Sequence, residues 1–554
     1  MPDKVPNARL RAWRNANRLT RLELAEQINA TATGVAERLT CDPERVRRWE
    51  TGDVRWPSTA YRLALTQLTG QRPEDLGFVR SQRDETVKTS EDAAGSTPVH
   101  AVQDRQSFSA DEDVPAPVSA AELRLATDPH ITAGLDWLDQ QAGWAPGSSR
   151  RKVASHLVGL DPRTLSDRAQ VRGRISLGQV AHALASYYGA AVSDEGLLPY
   201  RIREQDALIT TSIVTHHNWI GLNFLLGAEE GDFTLTEMTS PQVPMDQLCS
   251  DAAVACLAES LIAGRRIVNT PLYRMTKVDI SPGRLSAGFG ITQFVHYALS
   301  MDLLERELLD ALADGRPIHT GALPLRDRYL PDLKTVAHPS ERLCAGGSLA
   351  LCAIARPASR ARRGRPDYVI LVQERSGNVL NSAQKLAVIP KAFHEPLVDF
   401  GEDVSILATI EREMEEELFG RDDVDSTHGD QLHADPMHAS RLSEPMMWLT
   451  EHPEHWRVES TGFGFNLVSG NYEFPALIVI EDEEWWGRFG GHIAANWECS
   501  GMRRYSTLDA GLIRSLLHDP AWSNEGLFAL SEGLRRLAEI GGPRVNLPSI
   551  EWEL

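Results

Sequence analysis

The chain has 554 residues, 42 % of them apolar and 24 % charged, and a formal net charge of −20. That length exceeds what one hydrophobic core can organise, so three or four units of about 100–200 residues are expected. No run of about 18 or more apolar residues occurs, so no membrane span is expected, and the negative charge excludes a chain that coats nucleic acid along its whole length.

The charge is unevenly placed. Residues 1–80 carry 14 Lys and Arg against 10 Asp and Glu, a net of +4, which leaves −24 on the remaining 474. A basic head on an acidic body is the asymmetry of a protein in which one module meets phosphates and the others do not. The opening "MPDKVPNARLRAWRNANRLT" is charged and has no apolar signal core, so a cytoplasmic location is expected. The six cysteines, at 41, 249, 256, 344, 352 and 499, include no Cys-x-x-Cys pair and read as buried free thiols.

Residues 1–78 read as an all-α domain. Thr20 is placed to cap a helix in "LTRLELAEQIN", with Leu22, Leu24, Ala25 and Ile28 as its apolar face. After "ATATGVAERLTC", Asp42 caps the next helix and Pro43 sits in its first turn, where a missing N–H costs nothing. Val46 and Trp49, at i and i+3, turn inward, while Glu44, Arg45, Arg47 and Arg48 stay on the outer surface and Gly52 permits the reversal.

This order resembles the Cro- and phage-repressor-like helix-turn-helix family, often called XRE. The resemblance rests on Leu24-Ala25, Val46, Trp49-Glu50, Gly52 and Pro57. In that family the third helix enters the major groove of double-stranded DNA, usually as a homodimer on paired half-sites. The resemblance implies that Glu44 and Arg45 read base edges and that Arg21, Arg48 and Arg55 contact phosphate, with Arg47 on the same DNA-binding surface. The twelve residues between the second and third helices depart from the family's short turn.

Residues 79–119 are poor in large apolar side chains and rich in Ser, Asp, Glu and Pro, and so read as a flexible linker. Residues 120–195 read as a second small helical module. A shift of 119 residues superposes Asp42-Pro43 on Asp161-Pro162, Arg55 on Arg174, Ala64-Leu65 on Ala183-Leu184 and Gly70 on Gly189. Arg168 and Ala169 stand where Trp49 and Glu50 would be. The basic residues here could touch phosphate, and a second reader or a spacer is equally open.

Residues 200–335 read as a mixed α/β domain without a recognisable motif. "DALITTSIV", "DFTLTEM" and "GRRIVNT" look like strands, "MDQLCSDAAVACLAESLIAG" like a helix, and "TQFVHYALSMDLLERELLDALADG" like one long helix closed by Gly315.

A third pattern fills 340–554, with strands at "SLALCAIAR", "DYVILVQERS", "KLAVIPK" and "FPALIVIED" and helices at "SILATIEREMEEELFG" and "NEGLFALSEGLRRLAEIGG". Glu413, Glu416 and Glu417, at i, i+3 and i+4, would share one helix face, and such hard oxygen donors suit magnesium. Glu411 and Glu415 would point elsewhere, into solvent. His428, His433 and His438 recur every five residues, a spacing that fits a surface loop better than a metal site.

"REMEEE", Arg412 to Glu417, resembles the helix of the Nudix family of nucleoside-diphosphate-linked hydrolases, and the resemblance spans about 340–550. It implies an α/β/α sandwich over 340–554 and a nucleotide-like small-molecule ligand. It also implies magnesium at Glu413, Glu416 and Glu417, which are then the catalytic candidates, with Lys391 and Arg412 binding the ligand. The loop departs from the family. Val398 and Val404 stand where a Gly and a Glu are expected, and Pro390-Lys391-Ala392 replaces Pro-Gly-Gly. Retained carboxylates with an altered loop favour a ligand sensor; an active hydrolase with an attached DNA-binding module is the alternative. The whole reads as a multidomain α+β protein.

Overall fold

The computed structural model describes residues 7–16, 19–31, 41–51, 54, 57, 59–69, 73, 76–78, 116–189, 195–227, 231–238, 243, 245–265, 267–281, 284–362, 364–376, 384–421, 436–491, 493 and 499–553. The chain is mixed α and β and falls into two compact units, Met1–Ala110 and Asp111–Leu554.

Among the described residues, helices α1 (Ala8–Ala16), α2 (Arg21–Ala30), α3 (Pro43–Thr51) and α4 (Thr59–Thr69) build the first unit. Thr20 and Glu23 cap α2 reciprocally, each side chain accepting the other's backbone N–H. Asp42 accepts the Arg45 N–H at 2.6 Å where α3 begins. Leu24, Ala25, Ile28, Val46, Trp49, Leu65 and Phe78 share one buried cluster, with Trp49 edge-on to Phe78. Leu22 does not join the apolar face expected of it. It is 53 % exposed, because a residue two positions before Leu24 lies on the far side of a helix of 3.6 residues per turn. The connection 32–40, Gly52 and Arg55 lie outside the described residues.

The second unit opens with α5 (Ala116–Leu125), α6 (Pro129–Gln141), α7 (Ser148–Gly159), α8 (Pro162–Gly173) and α9 (Leu177–Tyr188). Of the linker expected over 79–119, residues 79–115 lie outside the described residues, and 116–119 already belong to α5. Asp161 caps α8 through the Arg163 N–H, with Pro162 as first residue, matching Asp42 and Pro43 at α3.

Strands β1 (Leu198–Glu204), β2 (Ala207–Thr215), β3 (Ile220–Leu225) and β4 (Gly231–Glu237) follow, then α10 (Gln247–Ile262), β5 (Pro271–Ser281) and β6 (Arg284–Gln293). The single long helix expected after β6 is two, α11 (Phe294–Ala298) and α12 (Leu303–Ala313). Between them the Ser300 hydroxyl donates to the His296 carbonyl, a side-chain bond that competes with the helical ladder. No described residue of "GRRIVNT" is in a strand. Short helices α13 (Pro324–Tyr329) and α14 (Leu333–Ala337) lead to β7 (Gly346–Ser359), β8 (Arg365–Arg375), β9 (Leu386–Val388) and β10 (Lys391–Phe393). Next come α15 (Ile406–Glu413), α16 (Glu444–Glu451), β11 (Trp456–Gly462), β12 (Gly464–Asn466), β13 (Asn471–Ile480) and α17 (Glu483–Phe489). The chain closes with β14 (Cys499–Ser506), α18 (Ala510–Leu517), α19 (Asn524–Ile540) and β15 (Glu551–Trp552).

Among the described residues, twelve strands form one sheet whose main path runs β14-β8-β7-β13-β12-β2-β1-β15, with β7 and β13 parallel. The division expected between 200–335 and 340–554 runs through this sheet, because β2 pairs with β12, β3 with β11 and β1 with β15. Among the described residues only β4, β5 and β6 stand apart, as a three-stranded sheet.

Strand β7 shows how the large sheet is covered. Leu349, Leu351 and Ala353 join a core with Leu527, Phe528, Leu530 and Leu534 of α19. The alternate residues Ala350, Cys352 and Ile354 join a core with Ile406, Ile410 and Met414. Period-two alternation with apolar residues on both faces is the signature of a sheet buried on both sides. All six cysteines are free, and all but Cys499 are buried. No helix among the described residues is long and apolar enough to cross a membrane.

Candidate functional site

In the first unit the side chain that organises the basic surface is an acid. Glu50 is fully buried and accepts Arg14 Nε at 2.6 Å and Arg21 Nε at 2.9 Å, with Arg11 Nε at 3.7 Å. Burial alone would raise its pKa, but the hydrogen bonds and charges of Arg14 and Arg21 outweigh it and hold the carboxyl below its ordinary value. Glu50 thereby ties α1 and the start of α2 to the end of α3. Arg21, expected at phosphate, keeps 39 % of its side chain exposed while making this bond.

Val46 and Trp49 are buried as expected, Arg47 is half-buried and Arg48 is exposed. Arg45 is only half-exposed. Its guanidinium hydrogen-bonds the Tyr61 hydroxyl and lies over that ring, 4.8 Å from the centroid. The Glu44 side chain and Arg55 lie outside the described residues.

In the second unit the carboxylate helix is not regular. The α-helix ends at Glu413 and a π turn runs from Met414 to Leu418, closed by the Phe419 N–H on the Met414 carbonyl at 3.1 Å. An i→i+5 turn is wider than an α turn, so the α-helical period from which one face was expected for Glu413, Glu416 and Glu417 does not run through this segment. Glu413 is half-buried, with Oε1 3.2 Å from Arg412 Nη2, and Arg412, itself buried, also donates to the Glu395 carbonyl at 3.0 Å. Glu416 is half-buried. Glu417 is fully buried and accepts the Lys391 N–H at 2.7 Å and the Gln373 amide at 3.4 Å.

Glu417 is thus turned inward onto protein donors. Among the described residues, no group of three or more His, Cys, Asp or Glu side chains is placed to hold a metal. Glu415, expected in solvent, is fully buried. It accepts Arg421 Nη1 at 2.9 Å and the Ser443 N–H and hydroxyl at 2.9 and 2.8 Å, and so anchors the start of α16.

Lys391, expected as a ligand contact, is 11 % exposed, with its ammonium 2.6 Å from Glu525 Oε1. Around it lies a polar cluster that spacing did not reveal. Asn466 Nδ2 donates to Glu525 Oε2, and burial followed by the charge of Glu525 pushes Glu473 well above the usual carboxylate range. Burial, followed by the charges of Asp302 and Glu525, raises Glu305 as well. These residues come from α12, β10, β12, β13 and α19, so only the folded sheet brings them together.

Beside α15 lies a cleft of about 330 Å³ lined by Glu395, Leu397, Asp403, Thr409, Glu411, Arg412, Met437 and His438. The Asp403 carboxylate accepts the N–H groups of Leu397, Val398 and Asp399 at 2.6–2.9 Å, which shapes the loop entering the helix. Burial pushes the Glu411 carboxyl up to about 7. His428 and His433 lie outside the described residues, and His438 bonds Ser440. No family model and no curated protein matches this chain.

Proposed function

We propose that the chain is a DNA-binding transcriptional regulator of the XRE type, whose Nudix-like C-terminal region senses a nucleotide-derived small molecule. The observation that carries this reading is the buried Glu50 beneath Arg14 and Arg21. It fixes a capped, Arg-bearing helix at a definite angle, as a helix that must enter a groove requires. The sensing half is supported by a sheet covered on both faces, an Arg-Glu helix beside it, and a cleft at the lower end of the volume range of small-ligand sites.

Ligand would act by binding one arrangement of the protein more tightly than another, which shifts the population of DNA-competent molecules. A homodimer suits this role, because one helix-turn-helix module reads only a few base pairs. Hydrolysis is the second reading, favoured by the partial exposure of Glu413 and Glu416.

Selection of bound sequences from random duplexes tests the DNA half. Full-length protein should enrich a motif, and Arg45→Ala should relax preference at one position by about 1–3 kcal/mol. Enrichment of no motif would overturn specific regulation.

A further inference from the structure

The second helical module carries a helix that its own unit does not bury. None of the twelve residues of α8 is buried, and Arg163, Arg168 and Arg174 are exposed. In its place at the surface α8 is held by charge rather than by apolar packing. Arg172 binds Asp310 through two hydrogen bonds at 2.6 and 2.7 Å, and Arg168 meets Glu259 at 3.2 Å. Lys385 Nζ fixes the helix end by donating to the Gly173 and Ile175 carbonyls at 3.3 and 2.9 Å.

The charge around α8 opposes that of its unit. Residues 148–174 carry seven Lys and Arg against two Asp, a net of +5, in a chain whose net charge is −20. Asp161 is engaged in capping, and Asp167 is the only other carboxylate in that segment. Ser166 and Gln170 place hydrogen-bonding groups between the arginines, while the Thr164 hydroxyl donates to Asp161 at 3.0 Å. A twelve-residue helix is about 18 Å long, and a B-form major groove about 12 Å wide admits one. The same capped Asp-Pro start, 119 residues earlier, opens α3.

We propose that α8, with Arg163 and Arg174 as its phosphate contacts, is a second docking surface for duplex DNA. It lies in the acidic unit and is additional to the N-terminal head. This inference rests on the reading of the chain as a DNA-binding protein. It assigns to the second module the role of extending the bound site, which the head alone cannot do.

The test uses full-length protein and a duplex longer than the selected motif, with affinity measured across a salt series and the site mapped by hydroxyl-radical footprinting. Arg163→Ala/Arg174→Ala should lower the slope of log K against log salt by about 2, since each lost phosphate contact removes about 0.9. The footprint should shorten at one side while the motif is still protected. Arg163→Lys/Arg174→Lys should retain the slope, which separates lost charge from lost folding. An unchanged slope and footprint in the alanine variant, with wild-type binding intact, would overturn the α8 surface alone. A change in sedimentation without a change in DNA affinity would overturn it in favour of a protein partner. Failure of the wild type to bind any duplex would overturn both this surface and the reading on which it rests.

Discussion

The ammonium of Lys391 lies 2.6 Å from Glu525 Oε1, while the backbone N–H of the same lysine donates to Glu417 at 2.7 Å. One residue of β10 thus joins the carboxylate helix, on one face of the large sheet, to α19 on the other. With its charge paired to Glu525, Lys391 links the two layers that cover the sheet.

Removing that cation should therefore cost stability first. Lys391→Ala leaves Glu525 buried without its ammonium, next to Glu473, and breaking such a pair from one side costs about 3–5 kcal/mol. Urea unfolding of the second unit should show this loss, and Lys391→Met should show a similar one. A loss below about 1 kcal/mol would mean that the pair is not formed in solution.

Glu473 sets a pH dependence of known sign. Its folded pKa is raised by burial, so the native state holds its proton more tightly than the unfolded chain. That contribution is fully present below the unfolded value of about 4.5 and is lost as pH rises through the folded value. Glu473→Gln should raise the melting temperature near neutral pH and flatten its fall with increasing pH. Thermal melts from pH 5 to 8 decide it.

Glu50 behaves in the opposite sense. Its pKa is depressed, so its contribution is present above the unfolded value and is lost as pH falls through the folded one. Glu50→Ala should cost about 3 kcal/mol, since Arg14 and Arg21 then face each other without an anion. Hydrogen exchange of the α1, α2 and α3 amides in the full chain should rise accordingly, and DNA affinity should fall with it.

The sensor reading makes a kinetic prediction. Metal-assisted hydrolysis needs a held cation, a positioned water and a diphosphate in line. With Glu417 committed to Lys391 and Gln373, turnover of nucleoside diphosphate derivatives should stay below about 1 per second, while calorimetry detects binding of at least one. Faster turnover would make the chain an enzyme first. Glu416→Gln, with and without magnesium, shows whether that carboxylate meets a metal.

Local features were the legible ones. Thr20, Asp42 and Asp161 cap the helices assigned to them, because capping depends on residues two or three positions away. The apolar run "SLALCAIAR" is a strand in the structure as expected, within β7. What spacing could not show depends on distant partners. Glu415 looked like a solvated carboxylate until Ser443, 28 residues on, and Arg421 closed around it. The helical period changes to a π turn over Met414–Leu418, and no residue in "EMEEEL" announces that change. The large sheet runs across the boundary expected near 335 for the same reason, since β1, β2 and β3 also pair with β15, β12 and β11, far along the chain.

Those distant partners bear on how the chain is made. Val214 of β2 lies opposite Phe465 of β12, and Ile202 of β1 opposite Trp552 of β15. On the ribosome, β1 to β3 emerge well before the strands that complete their ladders. At about 5–20 residues per second, the wait for β12 is roughly 10–50 s. Through that interval the early strands present open edges that can pair with neighbouring nascent chains. Yield in a cell should therefore follow translation speed and chaperone supply more closely than it follows the stability of the finished fold. A fragment cut to begin at 340 would leave the β11 and β12 edges permanently in that exposed state.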